Sequence, residues 1–235
     1  TVIAAIAFVL VERRTAEPII PLHLFKDRNF NLTTIAGLLT GVAMFGAIGY
    51  LPTYLQMTFS ADATQAGLLM IPMMGALLIT SVVTGSLVSK YGRYKWMPIV
   101  GSLIVAVGMG LLGTLTPDTP LWLFCTYIAI MGVGLGTSMQ ILVLIVQNSV
   151  PNSQVGTATA SNNFFRQIGA SLGSAIVGSL FATRLTDLLM ERLPAGGASA
   201  AGGINSLTPG AVKELPAALR EVIDLAYNDA LAPLF

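Results

Sequence analysis

The chain has 235 residues, of which 54% are apolar and only 10% are charged, and its mean hydropathy is +0.77. Soluble domains carry about 25% charged residues, so this composition excludes a water-soluble fold and predicts an all-α polytopic membrane protein. The net charge of +1 provides no basic surface for nucleic acid. The single cysteine, Cys125, excludes a disulfide framework within the chain. The single histidine, His23, has no ligand cluster beside it, so neither a metal nor a cofactor is expected.

The few charged residues divide the chain into long apolar segments. About 20 helical residues cross the ~30 Å hydrocarbon core, and the segments that satisfy this length predict transmembrane helices at residues 32–57, 66–89, 96–115, 121–149 and 163–183. Residues 1–11 are expected to be the end of a truncated helix, and residues 233–235 the start of a truncated final one. We therefore expect the chain to be a fragment of a longer protein.

The positions of Lys and Arg predict the orientation of these helices. The segments 12–31 and 90–95 together carry seven basic residues, and the positive-inside rule makes both of them cytoplasmic loops. Alternation then places the loop 150–162 in the cytoplasm and the segment 184–232 outside. Apolar residues recur at helical spacing between positions 215 and 226, which predicts an amphipathic helix within that external segment.

Glycines in the apolar segments predict close helix packing. The pairs Gly37/Gly41, Gly132/Gly136 and Gly169/Gly173 are each four residues apart and therefore share one helix face. The segment 169–173 also matches the nucleophile-elbow pattern of hydrolases, and 108–113 matches a dinucleotide-binding pattern. Neither follows a strand, so both are predicted to be helix-packing segments and not enzyme sites.

The cytoplasmic loop that begins at Gly85 carries a more specific pattern. Gly85, Leu87, Gly92 and Arg93 match the Gly-x-Leu-x-Asp-x-x-Gly-Arg motif of the major facilitator superfamily, with Ser89 at the place of the Asp. This departure is typical of the second, degenerate copy of the motif, which lies in the C-terminal half of such transporters. The loop thus resembles that family.

Further segments resemble one branch of the family, the drug:proton antiporters with fourteen spans. They are residues 17–30, 49–56, 63–68, 150–158 and 163–169. The resemblance implies an all-α fold in which five spans of the C-terminal six-helix half are present. It also implies a lipid bilayer, a small-molecule substrate, protons and the missing N-terminal half of the same chain as partners.

A transporter of this type exposes a central cavity alternately to each side of the membrane. Methionine and aromatic side chains adapt to irregular or cationic guests, and a glutamine in a span needs a partner or a wet cavity. The resulting cavity candidates are Gln140, Gln147, Met44, Phe45, Tyr50, Tyr54, Met70 and Met74. Ordinary packing in the core or against lipid stays open for each methionine and aromatic residue.

Gating is expected at the cytoplasmic ends of the helices and at prolines within spans. The candidates at the cytoplasmic ends are Gly85, Gly92, Arg93, Lys95 and Arg166, and Arg166 alternatively anchors its helix by extending its charge to the interface. Pro52 and Pro72 are expected to bend their helices.

None of the 11 Asp and Glu residues lies deep in a predicted span. A proton-coupling carboxylate, which would face the cavity, is therefore expected outside this fragment. The favoured function is proton-coupled efflux of amphipathic or cationic drugs across the cytoplasmic (inner) membrane of a bacterium. Two alternatives stay open: an exporter of one endogenous metabolite, lipid or siderophore, and a non-transporting membrane scaffold or sensor.

Overall fold

The computed structural model describes residues 22–59, 61–92, 94–117, 119–192 and 217–234. These residues form helices and no strands, which confirms the all-α prediction. In chain order the helices are α1 (Arg28–Ile48), α2 (Leu51–Thr58), α3 (Ala63–Leu69), α4 (Ile71–Tyr91), α5 (Met97–Leu112), α6 (Leu121–Asn148), α7 (Val155–Arg192) and α8 (Ala217–Leu231). The predicted truncated helix at residues 1–11, residues 193–216 of the predicted external segment and Arg93 lie outside the described residues.

Local sequence explains where several of these helices begin. The Asp27 carboxylate caps α1 by accepting a hydrogen bond from the Phe30 amide at 2.8 Å. Pro52 and Pro72 each lie in the first turn of a helix, where the missing amide hydrogen has no cost. They coincide with the breaks between α1 and α2 and between α3 and α4, so the two prolines interrupt the long apolar segments as expected.

Four stretches of the described chain are long and apolar enough to cross a membrane: Arg28–Thr58, Ala63–Tyr91, Leu121–Asn148 and Asn152–Arg192. Helix α5 is apolar but has only 16 residues.

The structure differs from the sequence prediction at α7, which is helical from Val155 to Arg192, whereas residues 150–162 were expected to be a loop and the span to end at 183. The reason is that Ser161 and Asn162, whose polarity suggested a loop, are buried inside the bundle.

Glycine contacts hold the principal helix pairs together. Helix α1 packs along α7, and α6 packs between α4 and α5. A Cβ atom at Gly169 or Gly173 would overlap a backbone carbonyl of α1, and one at Gly132 or Gly136 would overlap a carbonyl of α4. The predicted packing role of these two glycine pairs is therefore confirmed. The hydrolase-like pattern at 169–173 lies within this contact.

Helix α8 covers one end of the bundle, which is formed by α2 and the last third of α7. The Tyr54 hydroxyl donates a hydrogen bond to Asn228 Oδ1 at 2.7 Å, and both side chains are buried. The rings of Phe181 and Tyr227 pack edge to face with centroids 4.8 Å apart. We call this the capped end. The opposite end, where α4 finishes and α5 begins, is called the loop end.

Candidate functional site

An open groove of about 410 Å³ lies between α4 and α6 at the loop end. It combines three residues that the sequence singled out, namely Gln140, Gln147 and Gly85. We call it the glutamine groove, and its lining also includes Val88, Ser89 and Leu144.

The glutamine groove is apolar with a few uncharged polar groups. Gln140 and Gln147 are seven residues apart on α6, so they lie on the same helix face two turns apart. Gln140 is exposed, whereas Gln147 is partly buried and its amide lies 3.4 Å from the Thr159 hydroxyl of α7. An amide both donates and accepts hydrogen bonds. The groove can therefore orient a polar group on an otherwise apolar guest, and none of the residues lining it is charged.

Gly85 lines the glutamine groove with backbone alone. A Cβ atom built there would meet nothing within 4 Å, so packing does not require a glycine at this position. Because Gly85 itself lines the groove, a larger side chain would project into its volume. The sequence had linked Gly85 to the cytoplasmic loop motif and to gating, not to a ligand groove.

The capped end holds other predicted cavity residues in its core. Tyr54 is completely buried, and Met70 is 8% exposed. Tyr50 is half-buried, and its hydroxyl donates to the backbone carbonyl of Ser174 at 3.1 Å. Tyr54 and Met70 are therefore inaccessible to a ligand in this conformation.

The remaining cavity candidates lie on α1 and α4, away from the lining of the glutamine groove. Met44 is half-buried and packs against the core that includes Tyr54. Phe45 and Met74 are exposed, with 38% and 47% of their surface accessible. The structure does not bring these three residues together with Gln140.

The described gating candidates have separate local roles. Gly92 ends α4 in the left-handed conformation, with φ +67°, which is strained for other residues. Lys95 is exposed at the loop end and lines a second groove.

Arg166 is half-buried in α7, and its backbone carbonyl contacts Gly41. The ion pair found among the described residues is Arg192–Asp229, so Arg166 has no acidic partner in that part of the chain.

A polar stripe on α7 was missed by the sequence reasoning. It consists of Asn163, Gln167, Ser171 and Ser174, which are all exposed. Their spacing of four, four and three residues places them on one helix face. This period was visible in the sequence, but the segment was interpreted through its glycines, Arg166 and its resemblance to the antiporter branch. Exposed polar side chains along a membrane helix face a cavity or another helix in preference to lipid.

Comparison with known proteins identifies the family. Residues 1–174 match the profile of the Major Facilitator Superfamily. The chain belongs to the Major Facilitator Superfamily. It is thus an integral membrane protein of a transporter family and not an enzyme.

Several curated members of the superfamily are similar over much of this chain. The multidrug transporter protein MdtP of Bacillus subtilis is 36% identical over 99% of the chain and 47% of its own length. A tetracycline resistance determinant of Streptomyces rimosus is 37% identical over 77% of the chain and 54% of its own length. An uncharacterized MFS-type transporter of Mycobacterium tuberculosis is 38% identical over 97% of the chain and 33% of its own length. The chain therefore spans about half the length, or less, of these superfamily members.

Proposed function

We propose that this chain is part of a proton-coupled efflux transporter that exports amphipathic or cationic drugs across the cytoplasmic membrane of a bacterium. The glutamine groove carries the proposal, because it places two amides on an apolar surface that is open to a guest. The multidrug and tetracycline-resistance names of similar proteins support the same class of substrate. The sequence motifs favour the fourteen-span antiporter branch.

The position of Gln140 argues for a wet groove. Moving an amide from water into an apolar medium without a hydrogen-bond partner costs roughly 2–7 kcal/mol. An exposed glutamine on a helix of membrane length is therefore stable where water or a substrate reaches it. The groove lies at the loop end, which the basic residues predict to be cytoplasmic. Compounds would enter it from the cytoplasm or from the adjacent leaflet.

The proton-coupling group is assigned to another part of the transporter. Within the described membrane-length helices, acidic residues occur only in the last turns of α7, at Asp187 and Glu191. A coupling carboxylate would need to face the central cavity. Since the match covers only 47% of the length of MdtP and 54% of that of the tetracycline resistance determinant, the rest of the transporter is the proposed source of that carboxylate.

Filling the groove tests this proposal. In the full-length transporter, Gly85→Leu places a side chain in the glutamine groove, whereas Gly110→Leu adds the same side chain to α5 at a position where a Cβ also meets nothing within 4 Å. Both variants and the unmodified protein would be reconstituted in proteoliposomes with an imposed proton gradient. We expect drug-induced dissipation of the gradient in the unmodified protein and in Gly110→Leu, and loss of most of it in Gly85→Leu.

Two results would contradict the proposal at different points. The absence of drug-induced dissipation in the unmodified protein would reject drug:proton antiport. Export of a single endogenous metabolite, lipid or siderophore by the same preparation would then favour the specific-exporter alternative. The absence of any transport would favour the non-transporting scaffold or sensor. Full activity of Gly85→Leu would reject the glutamine groove as the substrate path.

A further inference from the structure

A second groove at the loop end differs from the glutamine groove in its charge. It has a volume of about 350 Å³ and lies between the start of α1, the segment before α5 and the end of α6. Its polar lining includes Asn29, Tyr94, Lys95 and Asn148. No acidic side chain lines it, so Lys95 makes this groove electropositive.

Tyr94 and Lys95 supply hydrogen-bond donors to this groove. The Asn148 amide donates to the Tyr94 hydroxyl oxygen at 3.3 Å, which leaves the Tyr94 hydroxyl hydrogen available to another acceptor. Lys95 has three N–H donors and makes no ion pair with any described residue. The Asp27 carboxylate, two residues before Asn29, does not line the groove and accepts from the Phe30 amide in capping α1. The arrangement suits an oxyanion.

The surroundings of the groove are those of a membrane interface. Leu32 and Ile145 add apolar surface to the lining, and Leu32 is 55% exposed. Trp96, directly after Lys95, is also 55% exposed. A tyrosine, a lysine and a tryptophan in succession are typical of the region where lipid headgroups meet hydrocarbon. A ligand with a phosphate and acyl chains would satisfy both the donors and the apolar rim.

We propose that this groove binds the phosphate headgroup of an anionic phospholipid from the leaflet at the loop end. The phosphate lies against Lys95 and Tyr94, and the acyl chains lie along Leu32. The site is separate from the glutamine groove, so the proposal holds or fails independently of the transported substrate. Grooves with basic residues between membrane helices are suited to such headgroups.

The test compares two lysines of the full-length transporter. Lys95→Gln removes the charge from the groove, whereas Lys90→Gln removes an exposed charge at the end of α4 that does not line it. Each protein would be placed in nanodiscs of phosphatidylcholine alone or with phosphatidylglycerol, and lipid retention would be measured by native mass spectrometry. We expect the unmodified protein and Lys90→Gln to retain phosphatidylglycerol, and Lys95→Gln to bind it about tenfold more weakly, as the loss of one charge-assisted hydrogen bond implies.

Thermal unfolding of the same samples separates binding from a structural defect. In phosphatidylcholine alone, Lys95→Gln and the unmodified protein should have the same melting temperature. Phosphatidylglycerol should raise the melting temperature of the unmodified protein more than that of Lys95→Gln. Equal retention of phosphatidylglycerol by Lys95→Gln and Lys90→Gln would overturn the proposal. Stabilisation of the detergent-solubilised protein by inorganic phosphate to the same extent as by phosphatidylglycerol would overturn the lipid assignment in favour of a free anion.

Discussion

The capped end and the loop end of this helical bundle are built on opposite principles. At the capped end, α8 covers α2 and α7 with interlocking aromatic rings and a buried hydrogen bond between Tyr54 and Asn228. At the loop end, a groove of about 410 Å³ is open between α4 and α6, and one of about 350 Å³ is open between α1, the segment before α5 and the end of α6. Stability is therefore concentrated at one end, and ligand access at the other.

The difference follows from which side chains occupy the helix ends. Large aromatic residues pack against one another at the capped end. At the loop end, Gly85 and Ser89 leave space beside α6 that the longer side chains of Gln140 and Gln147 do not close. Substitutions at the two ends should accordingly affect different properties, namely stability at one and binding at the other.

The largest expected effect is the difference in stability between alanine substitutions of two tyrosines, one at each end of the bundle. Tyr54→Ala would leave a cavity where a completely buried ring now packs, and we expect a loss of roughly 3–5 kcal/mol in the free energy of unfolding. Tyr91 is 63% exposed, so Tyr91→Ala should change that free energy by no more than about 0.5 kcal/mol. Denaturant unfolding in detergent measures both. Equal losses would show that the two ends do not differ in packing.

The next effect isolates the hydrogen bond that attaches α8. Asn228→Ala leaves the Tyr54 hydroxyl buried without its acceptor, which should cost about 1–3 kcal/mol. Tyr54→Phe removes the donor while keeping the ring. A double-mutant cycle should give a coupling energy of about 1 kcal/mol, whereas a coupling of zero would mean that this bond does not hold the cap.

The attachment of α8 should also depend on pH through Asp224. Burial raises the pKa of this carboxyl to about 6 from 3.8, although the charge of Arg220 partly opposes the shift. Since the folded state binds the proton more tightly than the unfolded state, stability is greatest below about pH 4 and falls as the pH rises through 6. We expect Asp224→Asn to abolish this fall, which is on the order of 1 kcal/mol once solvent screening is included.

Melting curves between pH 4 and 7 would test the Asp224 prediction. An unmodified protein that becomes more stable over this interval would contradict the sign. If the stability of Asp224→Asn depends on pH in the same way as that of the unmodified protein, the pH dependence belongs to another group.

The smallest effect is expected at the surface of the cap. Arg192 and Asp229 form an ion pair whose side chains are 36% and 43% exposed. Exposed pairs contribute about 0–1 kcal/mol and are screened by salt. Arg192→Gln should therefore lower the melting temperature slightly at low salt and not at high salt. A large, salt-independent loss would mean that this pair is a principal attachment of α8.

Local sequence patterns predicted the parts of this fold that depend on local causes. The spacing of charges indicated apolar segments that the helices α1 to α7 overlap. The glycine pairs at 132/136 and 169/173 indicated helix contacts that the structure contains. Gln140 and Gln147 were each named as cavity candidates, and in the structure both line one groove.

Long-range contacts explain what the sequence could not show. Tyr54 was grouped with cavity residues because its type suits a cavity, but its partner Asn228 is 174 positions away and belongs to a separate helix. The early start of α7 was missed because Asn162 is polar, and only the fold shows that α1 buries it. The type of a residue therefore indicated which contacts it can make, and tertiary packing determined which of them it makes.

Cysteine accessibility on α6 of the full-length transporter tests most directly whether the glutamine groove is a water-filled substrate path. In a Cys125→Ser background, Gln140→Cys lies in the groove, whereas Ser138→Cys lies two residues earlier at a position that is 1% exposed. A membrane-impermeant maleimide applied to inside-out vesicles should label Gln140→Cys rapidly, label Ser138→Cys hardly at all, and label Gln140→Cys more slowly when a transported drug is present. Equal labelling of both positions, or labelling of Gln140→Cys that no drug slows, would contradict this account.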